Sequence, residues 1–352
     1  MTPSRHLPFA AALLLALIAA QACVWLDTPL PWMIGPLLAT AGACMLGAPL
    51  HAPRLVRSTG QWVIGTALGL YFTASVVAAL LAYAGWIALT VLFALLLGVA
   101  GGALMQRLSG ADRGTAFFAM AVGGASEMAT QGERYGASVE HVAGAHSLRI
   151  LLVVVILPFA MRWWSGHGLE LGLGPGVDLF LPAATQVRSA PLLLLLLVLL
   201  TCLGGVALQW RGVPNAWVIG PLLVAIALTV SGVHLSGLPE WLIRAGQLCI
   251  GVSLGTRFTP GFAHTAPRFL ASGAACSLLM LLVSASFALA LAALSGIHPA
   301  TAILATSPGG IAEMALTARV LHLGVPIVTA FHVMRMVAVI LLIGPIFRLA
   351  AR

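Results

Sequence analysis

Apolar runs as long as a bilayer is thick recur from one end of the chain to the other. "LPFAAALLLALIAAQACVWL" starts at Leu7, "APLLLLLLVLLTCLGGVALQW" at Ala190 and "ASGAACSLLMLLVSASFALALAAL" at Ala271. Each is near or above the roughly 20 residues a helix needs to cross hydrocarbon. In that medium every amide and carbonyl must find its partner inside the protein, so spans of this length are helices. The 352 residues are 61% hydrophobic and 7% charged, with a mean hydropathy of +1.06. A soluble chain of this length needs a far larger charged fraction to cover its surface. The fold class is therefore an all-α polytopic membrane protein, with the lipid bilayer as its first partner.

The charges narrow the field further. All 17 basic side chains are arginines, for a net charge of +8. Without lysine there is no P-loop lysine and no Schiff-base lysine. No two arginines are adjacent, whereas a nucleic-acid patch clusters them. The excess is topogenic, and no direct contact with nucleic acid is expected. Cys23, Cys44, Cys202, Cys249 and Cys276 form no CxxC pair and lie in or beside apolar segments. They read as small buried hydrophobes.

The chain also repeats itself. "PWMIGPLLATA" at Pro31 resembles "AWVIGPLLVAI" at Ala216, 185 positions on. "GQWVIGTALG" at Gly60 resembles "GQLCIGVSLG" at Gly246, "GGASEMA" at Gly123 resembles "GGIAEMA" at Gly309, and "HSLR" at His146 resembles "HVMR" at His332, each 186 positions on. The spacing predicts a first membrane repeat over 1–164, a Gly/Pro-rich linker over 165–189 and a second repeat over 190–352. "MTPSRHLPFAAALLLALIAAQAC" alone would pass for a cleaved signal peptide. Its match to the segment ending at Trp210 assigns it to the fold.

Six apolar segments per half are expected, at 8–26, 30–48, 57–79, 82–104, 114–131 and 139–161, then 190–210, 215–232, 240–257, 267–294, 300–318 and 325–348. The fold is thus about ten to twelve transmembrane helices in two repeats, each with one broken helix. With the N-terminus inside, ten arginines fall on the cytoplasmic side and five on the other, which places both termini in the cytoplasm. Six crossings per half give parallel repeats, and a re-entrant segment in each gives inverted ones; both orders stay open.

The fifth segment of each half is where the chemistry gathers. Paired glycines each weaken a helix by about 1 kcal/mol against alanine, and Pro308 removes a donor. A chain broken at Gly123-Gly124 and Gly309-Gly310 leaves free amides at the start of a half-helix. Glu127 and Glu313 then sit in its first turn, where the dipole favours a negative charge. Broken backbone at membrane depth is tolerated only where protein buries it or a wet cavity borders it, and a charge there costs on the order of 2.5–3.5 kcal/mol. Interrupted segments at matching places in two halves point to a transporter binding site. A structural reading stands beside it, in which small residues pack helices and the glutamates only cap or pair.

The sixth segment adds His146 and Arg149, and its repeat adds His332 and Arg335. A spacing of three puts each pair on one helix face. Intramembrane arginine needs a partner, and Glu127 and Glu313 are the expected ones. The pairs either bind solute or hold the bundle together. The histidines carry protons or are satisfied core side chains. Trp32 and Trp217 read as interfacial anchors, Gly35-Pro36 and Gly220-Pro221 as kinks, and Gln61 and Gln247 as helix bridges. Glu133, Arg134, Glu140 and His141 read as a solvated loop.

Through "PWMIGPLL"/"AWVIGPLL", "GGASEMATQGERYGA", "HSLRILLVVVILP", "SPGGIAEMALTARVL" and "FHVMRMVAVIL", essentially the whole chain resembles the AbrB-like integral membrane family, a duplicated bacterial family. The resemblance implies the bacterial inner membrane. It also implies the labels the family carries, ammonia monooxygenase and regulation of gene expression. More remotely the chain looks like the cation/proton antiporter and anion transporter superfamily, with inverted repeats and helices crossed at Pro-Gly-Gly breaks. Residues 307–310 fit that pattern; Val122-Gly123-Gly124 lacks the proline.

The residues test these labels. Oxygenase chemistry needs copper or iron held at ligand spacing, and the ten histidines include no HxH or ExxH. No metal, cofactor or catalytic residue is expected. Regulation would act indirectly, through a solute or a membrane signal. The expected function is ion-gradient-driven transport of a small anionic solute. Glu127 and Glu313 take the coupling ion, and Gly123, Gly124, Gly309 and Gly310 with Arg149 and Arg335 take the anion. Assembly into a homo-oligomer is left open.

Overall fold

The computed structural model describes residues 6–166, 191–233, 235–258 and 267–350. Among them the chain is fifteen helices: α1 His6–Trp25, α2 Pro31–Met45, α3 Arg54–Gly69, α4 Ala74–Ala82, α5 Ala84–Ser109, α6 Arg113–Met120, α7 Ala125–Glu133, α8 Val139–Gly166, α9 Pro191–Trp210, α10 Ala216–Val230, α11 Glu240–Gly255, α12 Pro267–Ser295, α13 Pro299–Thr306, α14 Ile311–Val320 and α15 Val325–Ala350. Every apolar segment read from the sequence is helical, and each fifth segment is a pair of half-helices, α6/α7 and α13/α14. The expected linker lies almost wholly outside the described residues.

By length and composition, α1, α5, α8, α9, α12 and α15 can each cross a membrane, and α3 with α4 makes a seventh span bent by 86°. α2 and α10 are apolar but only 15 residues long, about 22 Å of helix. Each has a proline inside, Pro36 or Pro221. The molecule is an all-α multi-pass membrane fold.

The chain forms two compact units, and neither coincides with a sequence repeat. The described part of the first unit comprises α1 to α4, α9 to α11 and residues 319–326. Hydrocarbon outside the bundle is as apolar as leucine, so helices associate by close approach of small residues. Gly35 of α2 lies on the Ala19 backbone of α1, and Gly220 of α10 lies on the Gly204 backbone of α9. Gly65 and Gly69 of α3 meet Val218 and Leu222 of α10 as Gly251 and Gly255 of α11 meet Met33 and Leu37 of α2. Gly60 and Gly246 meet each other between α3 and α11. The repeats thus exchange contacts about a pseudo-two-fold, an inverted-repeat-like pattern. Gln61 reaches Asn215 Oδ1 at 3.4 Å, which is helix bridging as read from its apolar context.

The second unit comprises α5 to α8, α12, α13, α14 to Ala318, and α15 from Ile327. Phe93 of α5 stacks on Phe287 of α12 at 3.9 Å. Gly102 of α5 abuts the Phe117 backbone of α6. Val339 and Ile343 of α15 pack on Phe117, Phe118 and Met128. Glu133, Arg134 and Glu140 are exposed around the α7–α8 turn, as expected of a solvated loop. His141 is partly buried there, bonded to Ser138 Oγ at 2.8 Å and set edge-on to Phe269.

Candidate functional site

All the candidate residues fall in the second unit, at its two breaks. α6 starts under an Asp112 cap, whose Oδ1 accepts from Thr115 N at 2.8 Å. α13 starts under His298, whose Nδ1 accepts from Ala300 N at 3.3 Å. These caps are also 186 positions apart. Each half-helix runs only eight residues before the chain turns extended, at Ala121 (φ −52°, ψ 135°) and Ser307 (φ −55°, ψ 146°). α7 and α14 then begin, with Met128 N bonding Gly124 O at 2.9 Å and Met314 N bonding Gly310 O at 3.1 Å.

None of the four break glycines sits at positive φ; what they supply is space. A Cβ on Gly123 would strike the Met128 side chain, and one on Gly309 would strike Met314 and come within 3.1 Å of Val153 Cγ1. A Cβ on Gly310 would run into the Glu313 carboxylate, which lies back over it. Glu313 is buried and Glu127 half-buried, each in the first turn of its half-helix.

The arginines are engaged at the other end of each break. Arg149, 2% exposed, donates through Nη1 to Ala121 O at 3.0 Å and Met120 O at 3.3 Å, and through Nη2 to Gly123 O at 3.4 Å. Arg335 donates through Nη1 to Ser307 O at 2.6 Å and through Nη2 to Gly309 O at 2.7 Å. Ser307 and Gly309 are the repeat equivalents of Ala121 and Gly123, so the same two carbonyls are held twice. Sequence reasoning expected carboxylates as partners; these bonds run to backbone carbonyls. The last carbonyls of a half-helix have no intrahelical partner and carry its partial negative charge, and a five-donor fork satisfies several together. Each break therefore sets a cation at the end of one half-helix and an acid at the start of the next.

His146 is fully buried between Phe118 O (Nε2, 2.9 Å) and Arg149 Nη2 (Nδ1, 2.8 Å). Arg149 donates to Nδ1, so the tautomer protonated on Nε2 satisfies both contacts. His332 is equally buried, but its ring faces the Ala305 and Val328 carbonyls without meeting hydrogen-bond geometry. α8 passes both breaks, with Arg149 at the first and Val153 at the second. Among the described residues, no three His, Cys, Asp or Glu side chains gather in metal-ligand fashion.

Met128 and Met314 escaped the sequence reading, although a Glu-Met pair in both repeats signalled them. Asp112 and His298 escaped it because a cap shared by unlike residues leaves no identity to find.

The similarity to known proteins runs along most of the chain. The Bacillus subtilis (strain 168) protein YhjN is 28% identical over 333 residues, covering 90% of this chain and 86% of its own. An Escherichia coli (strain K12) protein named as a regulator, AbrB, is 27% identical over 333 residues, covering 94% and 92%. Residues 32–351 match the family described as transition state regulatory protein AbrB. Both breaks and every candidate side chain around them lie inside that match, and the chain belongs to the AbrB family as a multi-pass membrane protein.

Proposed function

We propose that the protein is a secondary transporter for a small anionic solute, driven by an ion gradient, and not an enzyme. The supporting observation is the doubled break, in which the same two carbonyls are held by a buried arginine and a glutamate stands in the first turn beyond. Half-helix amides with an acidic neighbour can hold an anion and a compensating proton or cation together. The arginines, bonded to carbonyls, fix the backbone frame of the site and add positive potential to it. Glu127 and Glu313 take the coupling ion. The arginine bias favours cytoplasmic termini, and the family resemblance favours a bacterial inner membrane.

The test is solute flux in proteoliposomes. Glu127→Gln and Glu313→Gln should each abolish gradient-driven uptake while leaving the melting temperature in detergent near that of the parent. Wild-type flux in the double variant would dismiss this site.

The family description and the E. coli relative's name favour a second reading, regulation of gene expression. In this chain it would act through the solute's distribution. Expression changes in a deletion strain that are rescued equally by the parent and by Glu313→Gln would favour a signalling role over transport.

A further inference from the structure

Within the second unit, α5 and α12 run side by side in opposite directions. Arg268 Nε, at the start of α12, donates to Leu108 O, at the end of α5, at 2.9 Å. Farther in, Met280 meets Gly101, and farther still Phe287 stacks on Phe93. Each of these two helices can cross a membrane, so their C-terminal ends lie on opposite faces. α6 begins four residues past the end of α5, and α13 four residues past the end of α12. The two breaks are entered from opposite faces.

Neither broken segment then crosses. Ser138 N, just beyond α7, donates to Thr115 Oγ1, in the first turn of α6, at 2.8 Å. Tyr135 stacks on Phe118 with ring centroids 5.6 Å apart. α7 thus returns to the face that α6 left. In the second repeat, His332 of α15 faces the Ala305 carbonyl, and Arg335, one turn on, holds Ser307 O and Gly309 O. α15 therefore runs beside α13 in the same direction, and Ile327 lies back toward the start of α13. The chain between that break and Ile327 has doubled back. An eight-residue half-helix reaches about 12 Å inward. Two of them, with the short stretch of α8 between the breaks, fill about 30 Å, the thickness of the hydrocarbon.

The arginines tell the faces apart. Arg107 ends α5, Arg113 opens α6 and Arg134 follows α7. Arg268 sits on Leu108, and the Arg348 guanidinium lies 5.7 Å from the Tyr135 ring centroid. All five stand at the end where α6 and α7 meet. Among the described residues of this unit, Arg162, late in α8, is at the other end. This bias puts the α6/α7 end in the cytoplasm.

We propose that α6/α7 and α13/α14 are re-entrant hairpins inserted from opposite faces, and that Glu127 exchanges its ion with the cytoplasm and Glu313 with the opposite side. The role given to the two acids rests on the transport reading above; the hairpins do not. The two glutamates are then not redundant copies of one site. Each answers to the ion concentration of the face its own hairpin borders.

Labelling with a membrane-impermeant maleimide, without solute, tests this. The full chain carries alanine in place of Cys23, Cys44, Cys202, Cys249 and Cys276, and is held in sealed inverted or right-side-out membrane vesicles. Arg113→Cys and Glu133→Cys should label in inverted vesicles and lose the label in right-side-out ones. Ser295→Cys and His322→Cys, before α13 and in the turn before α15, should show the reverse. Glu127→Cys should follow the first pair and Glu313→Cys the second. Ala125→Cys and Ile311→Cys, in the same first turns, replace a glutamate variant that does not fold. Labelling of Arg113→Cys and Glu133→Cys from opposite faces would mean a crossing segment and overturn the hairpins. Labelling of both first turns from one face, or of neither while the outer positions react, would overturn the two-sided access. If Glu127→Gln and Glu313→Gln keep full flux while the labelling pattern holds, the transport reading falls by itself.

Discussion

Arg149 and Arg335 are each committed to backbone carbonyls of a break, and that fixes what their loss does. Arg149→Met removes the charge and the guanidinium donors to the Met120, Ala121 and Gly123 carbonyls, at about 1–3 kcal/mol for a buried group that loses its partner. Arg149→Lys keeps the charge but replaces a fork with a point, so it should recover only part of the loss. Thermal unfolding in detergent should rank the parent above Lys and Lys above Met, with the same order at Arg335. Gly310→Ala makes a sharper case. Its Cβ would occupy the place of the Glu313 carboxylate, so the variant should lose flux even where its melting temperature stays close to that of the parent.

At the scale of the element, the caps of α6 and α13 differ in one testable way. Asp112 caps with a carboxylate, and Asp112→Ala should cost about 1 kcal/mol. His298 caps from the turn between α12 and α13, and burial lowers its affinity for a proton below the ordinary imidazole value. A lowered value means the folded state prefers the neutral ring. Its contribution is therefore present above the ordinary value and lost as pH falls through the depressed one. Acidification should loosen the first turn of α13, and His298→Asn should remove that response; hydrogen exchange over 299–306 reads both. The helices themselves were legible in the sequence because apolar length and Gly-Gly breaks act locally. Glu127 and Glu313 were legible for the same reason, since their place in a first turn follows from the break just before them. The partners of the arginines were not, because a carbonyl has no letter in the sequence and a carboxylate does.

Over the whole molecule, the repeat was legible and the grouping of its parts was not. The offset of 186 ties Gly65 to Gly251, but nothing in it says that the first helices of both halves gather into one unit and the last into another. That outcome follows from reciprocal close approach, Gly65 on Val218 and Gly251 on Met33. Because the two contacts are equivalent, Gly65→Leu and Gly251→Leu should lower the melting temperature by similar amounts, and the pair together by roughly the sum.

α8 meets the first break through Arg149 and the second through Val153, one turn later on a single rod. About 6 Å of helix separates its contacts with the two breaks. On the proposed transport function, a displacement of this rod by solute at one break reaches the other, and uptake should follow one apparent site.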